Sequence, residues 1–455
     1  MATMALVRRD HRELRDAVRD YSSGLIALVP VLALLLLIRV VSERGAWPAS
    51  QVIAFSLGIT GSLLVTTGFV QSLSRRGSIC LSLGDPEAAR RYLTWLFVLV
   101  EIVAVALAVI VALTTRAMGL FSDPDRLTFG VTLVGVSTFW LAAAGLSIAR
   151  AQGWIGVALS AGLATGAVAD VMLTPVLASH LIVAAVAGLV VAVGIVGWRS
   201  ERNLARHGTA NDGQPVLPSV AYLIDEALPY FGYSVLYMLL IVVAHAVGWF
   251  GRLGPTENWS SAVSTLEVGL TLALPPIILA GGVAERALHL FWREALVGQA
   301  TTPGDAPTQF SRRIERFYWR YLIRYLLALG TLSLLARYGF DLAAQAGWLA
   351  GLAAGDLSLL TRVFDAGLIT YWLLGWAQFN CTFAVSLARP SLALRSVAAG
   401  IATTLVVGLP LCLGIGFAYA VLAFGLGAAA FVVASHFIVA RSVVKNAGYY
   451  YVRSF

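Results

Sequence analysis

Residues 229–250 read PYFGYSVLYMLLIVVAHAVGWF, a run in which apolar side chains far outnumber polar ones. Since an α-helix rises about 1.5 Å per residue, this run is about 30 Å long, which matches the hydrocarbon core of a bilayer. Tyr230, Tyr233 and Tyr237 recur along it at helical spacing, and His245 follows two turns later. The run predicts a membrane-spanning helix with one polar face.

The whole chain has the composition of an all-α integral membrane protein. Of its 455 residues, 59% are hydrophobic and 12% are charged, and the mean hydropathy is +0.81. Soluble domains carry about twice that share of charge. Apolar runs predict about twelve transmembrane helices, near 24–41, 52–72, 93–114, 127–148, 154–177, 181–198, 228–249, 262–282, 318–336, 361–386, 394–415 and 418–439.

The positive charge indicates how these helices are oriented. Nearly all of it is arginine, and most arginines fall in alternate connections if both termini are cytoplasmic, as the positive-inside rule requires. The sequence pI of about 9.6 is therefore explained by topology, and nucleic acid is not expected as a partner. The cysteines, Cys80, Cys381 and Cys412, have unrelated spacings, so neither a metal site nor a disulfide framework is predicted.

The spans divide into two six-helix lobes. Polar residues at 199–220 predict a cytoplasmic linker between an N-lobe at 23–198 and a C-lobe at 221–440. The C-lobe includes a long cytoplasmic loop at 283–317. A cytoplasmic amphipathic segment at 1–22 and a cytoplasmic tail at 441–455 complete the chain. The two lobes resemble each other in their pattern of hydropathy, as in transporters built from two similar bundles.

Ionisable side chains inside spans are candidates for function because burying them in a bilayer is costly. The candidates are Glu101, Asp170, His245, Glu267 and Asp365. Acidic groups predominate toward the outer side, which favours cationic or hydroxyl-rich cargo over anions. The alternative is that each group is satisfied by one neighbouring helix or reaches the membrane interface.

The tenth span carries the most ordered pattern. Asp365, Trp372, Trp376 and Asn380 are seven, four and four residues apart, so they share one helix face. Indoles stack on the apolar faces of sugars, while amides and carboxylates bond the hydroxyls. We therefore predict that this face and the tyrosines of the seventh span line a substrate path. An ordinary aromatic core or interfacial belt is the alternative.

A basic stripe of four arginines runs from the cytoplasmic loop into the ninth span: Arg312, Arg316, Arg320 and Arg324. It is suited to lipid phosphates, a lipid-linked diphosphate or a partner protein. The alternative is simple anchoring by the positive-inside rule.

Enzymatic function is disfavoured. The chain contains no GxxxxGK[ST], HExxH or GxSxG motif, and no cofactor or catalytic residue is predicted. The first outer loop, SERGAWPAS, is short and offers only Glu43, whereas a membrane-embedded glycosyl or acyl transferase needs carboxylates on sizeable loops.

Several stretches resemble the Pel exopolysaccharide transporter family, PelG. They are ELRDAVRDYSSGLIALVP at 13–30, LIDEALPYFGYSVLYMLL at 223–240, TLEVGLTLALPPIILAGGVAE at 265–285 and the tyrosine-rich tail at 449–451. Where that family tends to carry Asp-Arg late in the seventh span, this chain has Ala244 and His245, so it resembles a divergent member. The resemblance implies a MATE-like pair of lobes around a central cavity, within the superfamily of polysaccharide flippases and multidrug exporters, the MOP superfamily.

The resemblance also implies a multi-pass protein of the bacterial inner membrane that exports a polysaccharide. The implied partners are a cytoplasmic glycosyltransferase and inner-membrane proteins that include a cyclic-di-GMP receptor, besides the surrounding membrane lipids. Two alternatives remain: an ion-coupled antiporter or flippase for small molecules or lipid-linked oligosaccharides, with Glu101 or Asp170 as the ion site, and a membrane-embedded transferase.

Overall fold

A computed structural model describes residues 49–82, 85–119, 121–149, 151, 153–173, 180–206, 220–252, 259–301, 307–349, 357–386 and 389–438. These residues are helical apart from short connections, which confirms the all-α fold class. Four predicted features lie wholly or largely outside the described residues: the segment at 1–22, the span at 24–41, the linker at 199–220, of which 207–219 are not described, and the tail at 441–455.

Thirteen α-helices are assigned in the described part of the chain. The first six are α1 (Ala49–Ser82), α2 (Pro86–Ala117), α3 (Asp123–Ile148), α4 (Gly153–Leu173), α5 (His180–Arg206) and α6 (Val220–Trp249). The others are α7 (Trp259–Ala273), α8 (Pro275–Thr301), α9 (Pro307–Gln345), α10 (Leu357–Ser386), α11 (Pro390–Thr403), α12 (Leu409–Gly414) and α13 (Ala420–Ala434).

Every predicted span that falls on described residues is largely helical, although the span at 262–282 is divided between α7 and α8 at Leu274. Eight stretches within the described ranges are long and apolar enough to cross a membrane, and the stretches at Leu57–Leu73 and Gly153–Ala169 are shorter apolar helices. The total of twelve spans and the cytoplasmic position of both termini stay predictions.

Helix ends differ from the predicted spans where polar side chains are long. α5 continues to Arg206, and α8 and α9 extend through most of the predicted loop at 283–317, of which residues 302–306 lie outside the described residues. Long arginine side chains reach the membrane interface from a helix that continues beyond it, so a fall in hydropathy does not end the helix. Pro275 and Pro276, by contrast, end α7 and start α8, because proline fits the first turn of a helix.

The described chain divides into two compact units between Met238 and Leu239, within α6. In the N-terminal unit, α3 packs against α1, α2 and α5, and α4 lies along α5. Gly162 and Gly188 bring α4 and α5 into close contact: a Cβ atom on either would lie 2.5 Å from the carbonyl oxygen of the other. Small residues at such crossings let membrane helices pack closely. The predicted lobe boundaries stay predictions.

In the C-terminal unit, α10 is the central helix and packs against α7, α8, α9, α11 and α13. α11 is followed directly by a π-helical turn, Thr404–Gly408, which leads into α12. Glycines again permit close packing, since a Cβ atom on Gly400 would lie 3.0 Å from the carbonyl oxygen of Gly427 on α13. A second π turn, at 435–438, follows α13.

Candidate functional site

A histidine and a carboxylate meet inside the C-terminal unit. His245 Nδ1 on α6 lies 2.8 Å from Glu267 Oε1 on α7. The indole of Trp249, one turn beyond His245, donates to the same oxygen at 3.0 Å. The side chains of His245 and Glu267 are 16% and 28% exposed. The two predicted ionisable residues thus form one hydrogen-bonded group.

Contact between His245 and Glu267 reduces the cost of placing either side chain inside the membrane. An isolated charge in a bilayer costs several kcal/mol, whereas an imidazole and a carboxylate in contact are neutral together, either as an ion pair or with one proton shared between neutral partners. Tyr371 on α10 is a buried titratable neighbour of Glu267. Two ionisable side chains in contact within spans are candidates for an ion-coupling site.

Asp365 has an arginine partner. Arg337 Nε on α9 lies 2.6 Å from Asp365 Oδ1 on α10, and Arg337 also binds Asp341 one turn later on its own helix. These side chains are between 33% and 48% exposed. One guanidinium therefore contacts two carboxyl groups at this end of α9.

The remaining residues of the predicted stripe on α10 differ in their surroundings. Trp372 and Trp376 are half-buried, with ring centroids 5.6 Å apart and an interplanar angle of 77°. Trp372 Nε1 donates to the carbonyl oxygen of Leu326 at 3.3 Å. Trp376 Nε1 has no hydrogen-bond partner among the described residues.

Asn380, by contrast, is fully buried. Its Oδ1 accepts a hydrogen bond from the Tyr318 hydroxyl at 2.5 Å, and its Nδ2 donates to Ser435 Oγ at 3.0 Å. Both polar groups of the amide are therefore used to join α9, α10 and the turn after α13. This geometry is typical of a structural hydrogen bond network.

In the N-terminal unit, Glu101 on α2 accepts a hydrogen bond from Thr138 on α3, with 2.6 Å between Oε1 and Oγ1. Tyr230 and Tyr233 are buried, at 4% and 8% exposure, and the rings of Tyr233 and Tyr237 lie 6.3 Å apart. Asp170 belongs to α4, but its side chain lies outside the described residues. The tyrosines of α6 thus pack as part of this unit, whereas His245 belongs to the other.

Comparison with known proteins bears on the fold. No protein-family model and no curated protein matches the chain. Among solved structures, a mutant of the Vibrio cholerae MATE transporter VcmN superimposes with a TM-score of 0.67 at 14% identity, covering 94% of this chain and 97% of its own. The chain has the MATE fold.

Two further structures support this assignment. A MOP superfamily transporter from Pyrococcus furiosus has a TM-score of 0.65 at 15% identity and covers 94% of this chain and 96% of its own. An outward-facing multidrug resistance MATE transporter of the MOP superfamily has a TM-score of 0.61 at 12% identity, with coverage of 94% and 95%. All three neighbours are transporters rather than enzymes, and their likeness over nearly the whole chain establishes the MATE fold.

The sequence predicts the ionisable residues one by one but not which side chains they contact. Trp249 stands four residues after His245, and Asp341 four residues after Arg337, so both local contacts have a visible helical spacing. The contacts of Glu267, Asp365 and Asn380 join different helices, and no spacing in the sequence signals them.

Proposed function

We propose that the protein is a transporter that exports a polysaccharide from the cytoplasm to the periplasm across the bacterial inner membrane, as a divergent PelG-like component of a synthase complex. A glycosyltransferase on the cytoplasmic side supplies the polymer, and inner-membrane partners, including a cyclic-di-GMP receptor, control its delivery. The MATE fold and the PelG-like stretches of sequence support this proposal.

The observation that carries the proposal is the pair of indoles on α10. Trp372 and Trp376 are half-buried, so part of each ring is open to contact. The indole N–H of Trp376 is itself buried, and no described residue accepts a hydrogen bond from it. The accessible part of each ring is apolar and suits a pyranose, which presents an apolar face for stacking.

Replacing the indoles tests the export of a polymer. We expect Trp372→Ala and Trp376→Ala each to lower secreted polysaccharide at least about fivefold at equal protein level, because truncating a central contact residue costs over 1 kcal/mol of binding. Trp95→Ala is the matched control, since Trp95 is 52% exposed on the apolar surface of α2. Undiminished secretion by both α10 variants removes these residues from the path.

The contact between His245 and Glu267 favours a second candidate, an ion-coupled antiporter for small molecules. One neighbour of the same fold is described as having a binding pocket of reversed polarity that suggests a different function, so the fold does not determine the cargo. Under this alternative, dye efflux from cells depends on a proton or sodium gradient and is lost in Glu267→Gln. Efflux without polymer secretion would favour the antiporter over the exporter.

A further inference from the structure

The amino-terminal half of α9 carries an exposed row of positive charge. Arg312, Arg316, Arg320 and Arg324, the basic stripe, stand four residues apart, and all four side chains are exposed. Successive members are one helical turn, about 6 Å, from each other along the axis. Like charges at this spacing repel one another, so the row is stabilised by negative charge from outside.

Acidic partners for this row are missing from the described residues. Elsewhere Arg90 binds Glu87 and Glu201, and Arg337 binds Asp365. Among the described side chains, by contrast, no carboxylate forms an ion pair with any arginine of the basic stripe. The stripe therefore presents guanidinium groups that are available to an external anion.

The same side of α9 faces lipid further along the helix. Ile323, Leu327 and Leu334 are 53%, 66% and 74% exposed, as expected of side chains that contact acyl chains. From Arg324 to Arg337 the helix rises about 20 Å, which is less than the hydrocarbon thickness of about 30 Å. Arg324 therefore lies at or inside the edge of the hydrocarbon, where lipid phosphates are the nearest anions.

Two side chains of the stripe point back toward the headgroup level. The guanidinium of Arg324 lies 5.3 Å from the ring centre of Tyr321, which is nearly one turn closer to the start of α9. Arg316 Nε donates to the carbonyl oxygen of Arg312 at 3.4 Å. Arginines near the ends of spans extend toward the interface in this way, while their methylene groups stay in apolar surroundings.

We propose that the basic stripe is a binding site for the phosphate group of a membrane lipid. Each guanidinium offers a planar pair of N–H donors that matches two phosphate oxygens, and clusters of four or more cations beside a span attract anionic headgroups. The proposal does not depend on the cargo of the transporter, because the stripe lies on the lipid-facing side of α9. Anionic phospholipid and a lipid-linked diphosphate share this chemistry.

Lipid titration tests the site. The full chain, purified and delipidated in detergent, is titrated with phosphatidylglycerol and with phosphatidylcholine, and bound lipid is counted by native mass spectrometry. We expect the variant with all four stripe arginines changed to Gln to bind phosphatidylglycerol at least tenfold more weakly, with phosphatidylcholine unchanged.

A charge-matched variant is the control. Changing Arg116, Arg252, Arg362 and Arg395 to Gln removes the same charge from exposed positions elsewhere, and we expect a change of less than twofold. Equal weakening by both variants, or none, overturns the proposal. If the Gln variant does not fold, changing the four stripe arginines to Lys keeps the charge and removes the planar pair of donors, and we expect intermediate affinity.

The source of the phosphate is decided by competition. If a polyprenyl diphosphate displaces phosphatidylglycerol from the wild type but not from the Gln variant, the stripe binds a lipid-linked carrier. If the two lipids bind equally well through the stripe, it binds bulk anionic lipid, and both results support the proposal. Capture of a protein that depends on the stripe, without lipid binding, overturns it.

Discussion

His245 Nδ1 and Glu267 Oε1 lie 2.8 Å apart, on consecutive helices of the C-terminal unit. Both side chains are largely buried, at 16% and 28% exposure, so each is the other's principal polar contact. A change at either residue therefore alters both.

A double-mutant cycle measures this dependence. His245→Ala and Glu267→Ala each remove one partner, and we expect a coupling free energy of about 1 kcal/mol in reversible unfolding, the upper part of the range for hydrogen bonds between membrane helices. Trp249→Phe is the comparison, because it removes the second donor to Glu267 but keeps a ring. Strict additivity of the two alanine substitutions would contradict the contact.

Asn380→Leu is expected to lower the free energy of unfolding by about 1–3 kcal/mol, because it leaves the buried Tyr318 hydroxyl without its acceptor. It also removes the donor to Ser435 Oγ, which keeps its own hydrogen bond to the carbonyl oxygen of Val432. Thermal unfolding measures the change. Thr382→Val on the same helix is the control, since the Thr382 hydroxyl bonds the carbonyl oxygen of Gln378 in its own helix. A loss of export with an unchanged melting temperature would instead indicate that Asn380 contacts cargo.

Gly188→Ala is expected to lower the melting temperature, because the new Cβ atom would lie 2.5 Å from the carbonyl oxygen of Gly162 and would force α4 and α5 apart. Overpacking of this kind costs about 1–3 kcal/mol. Gly194→Ala, on the same helix but with no atom within 4 Å of its Cβ position, is the matched control. Alanine favours helix over glycine, so the control keeps or raises stability. Equal melting temperatures for both variants would refute the close approach.

Arg337→Gln leaves Asp341 and Asp365 as neighbouring carboxylates without their shared cation. Because these side chains are partly exposed, we expect a modest loss of about 1 kcal/mol or less in unfolding free energy. Adding Asp365→Asn to Arg337→Gln is expected to restore part of the lost unfolding free energy, because it removes one negative charge. A double variant that is less stable than Arg337→Gln alone would exclude repulsion as the cause.

The apolar runs are sufficient to predict the helices. The sequence predicts the tenth span at 361–386, and α10 occupies Leu357–Ser386, because an apolar run bounded by polar connections has one stable form in a bilayer. Helix ends were less predictable: α9 extends well beyond the expected 318–336, since a run of arginines favours helix and tolerates the interface.

The sequence predicts individual residues of the candidate site, but it does not predict which side chains are in contact. Ionisable groups in apolar runs are visible one at a time, so the sequence predicts Glu101, Asp170, His245, Glu267 and Asp365. Their partners depend on which helices pack together, and residues such as Tyr318 and Ser435 look like ordinary aromatic and small residues in the sequence. Asn380 shows the consequence, because its position on a polar stripe did not reveal that it is fully buried.

The π turn at Thr404–Gly408 changes the phase of the helix in which it lies. A π turn accommodates one more residue than an α turn, so the side chains after it are rotated about the axis relative to those before it. Residues of α11 and α12 that an unbroken α-helix would direct to different sides are thereby brought back into line along α13, which contacts α11, the π turn and α12. The extra residue rotates α12 relative to α11. The inward and outward faces of this span must therefore be assigned with two helical wheels, one for α11 and one for α12, that are offset from each other.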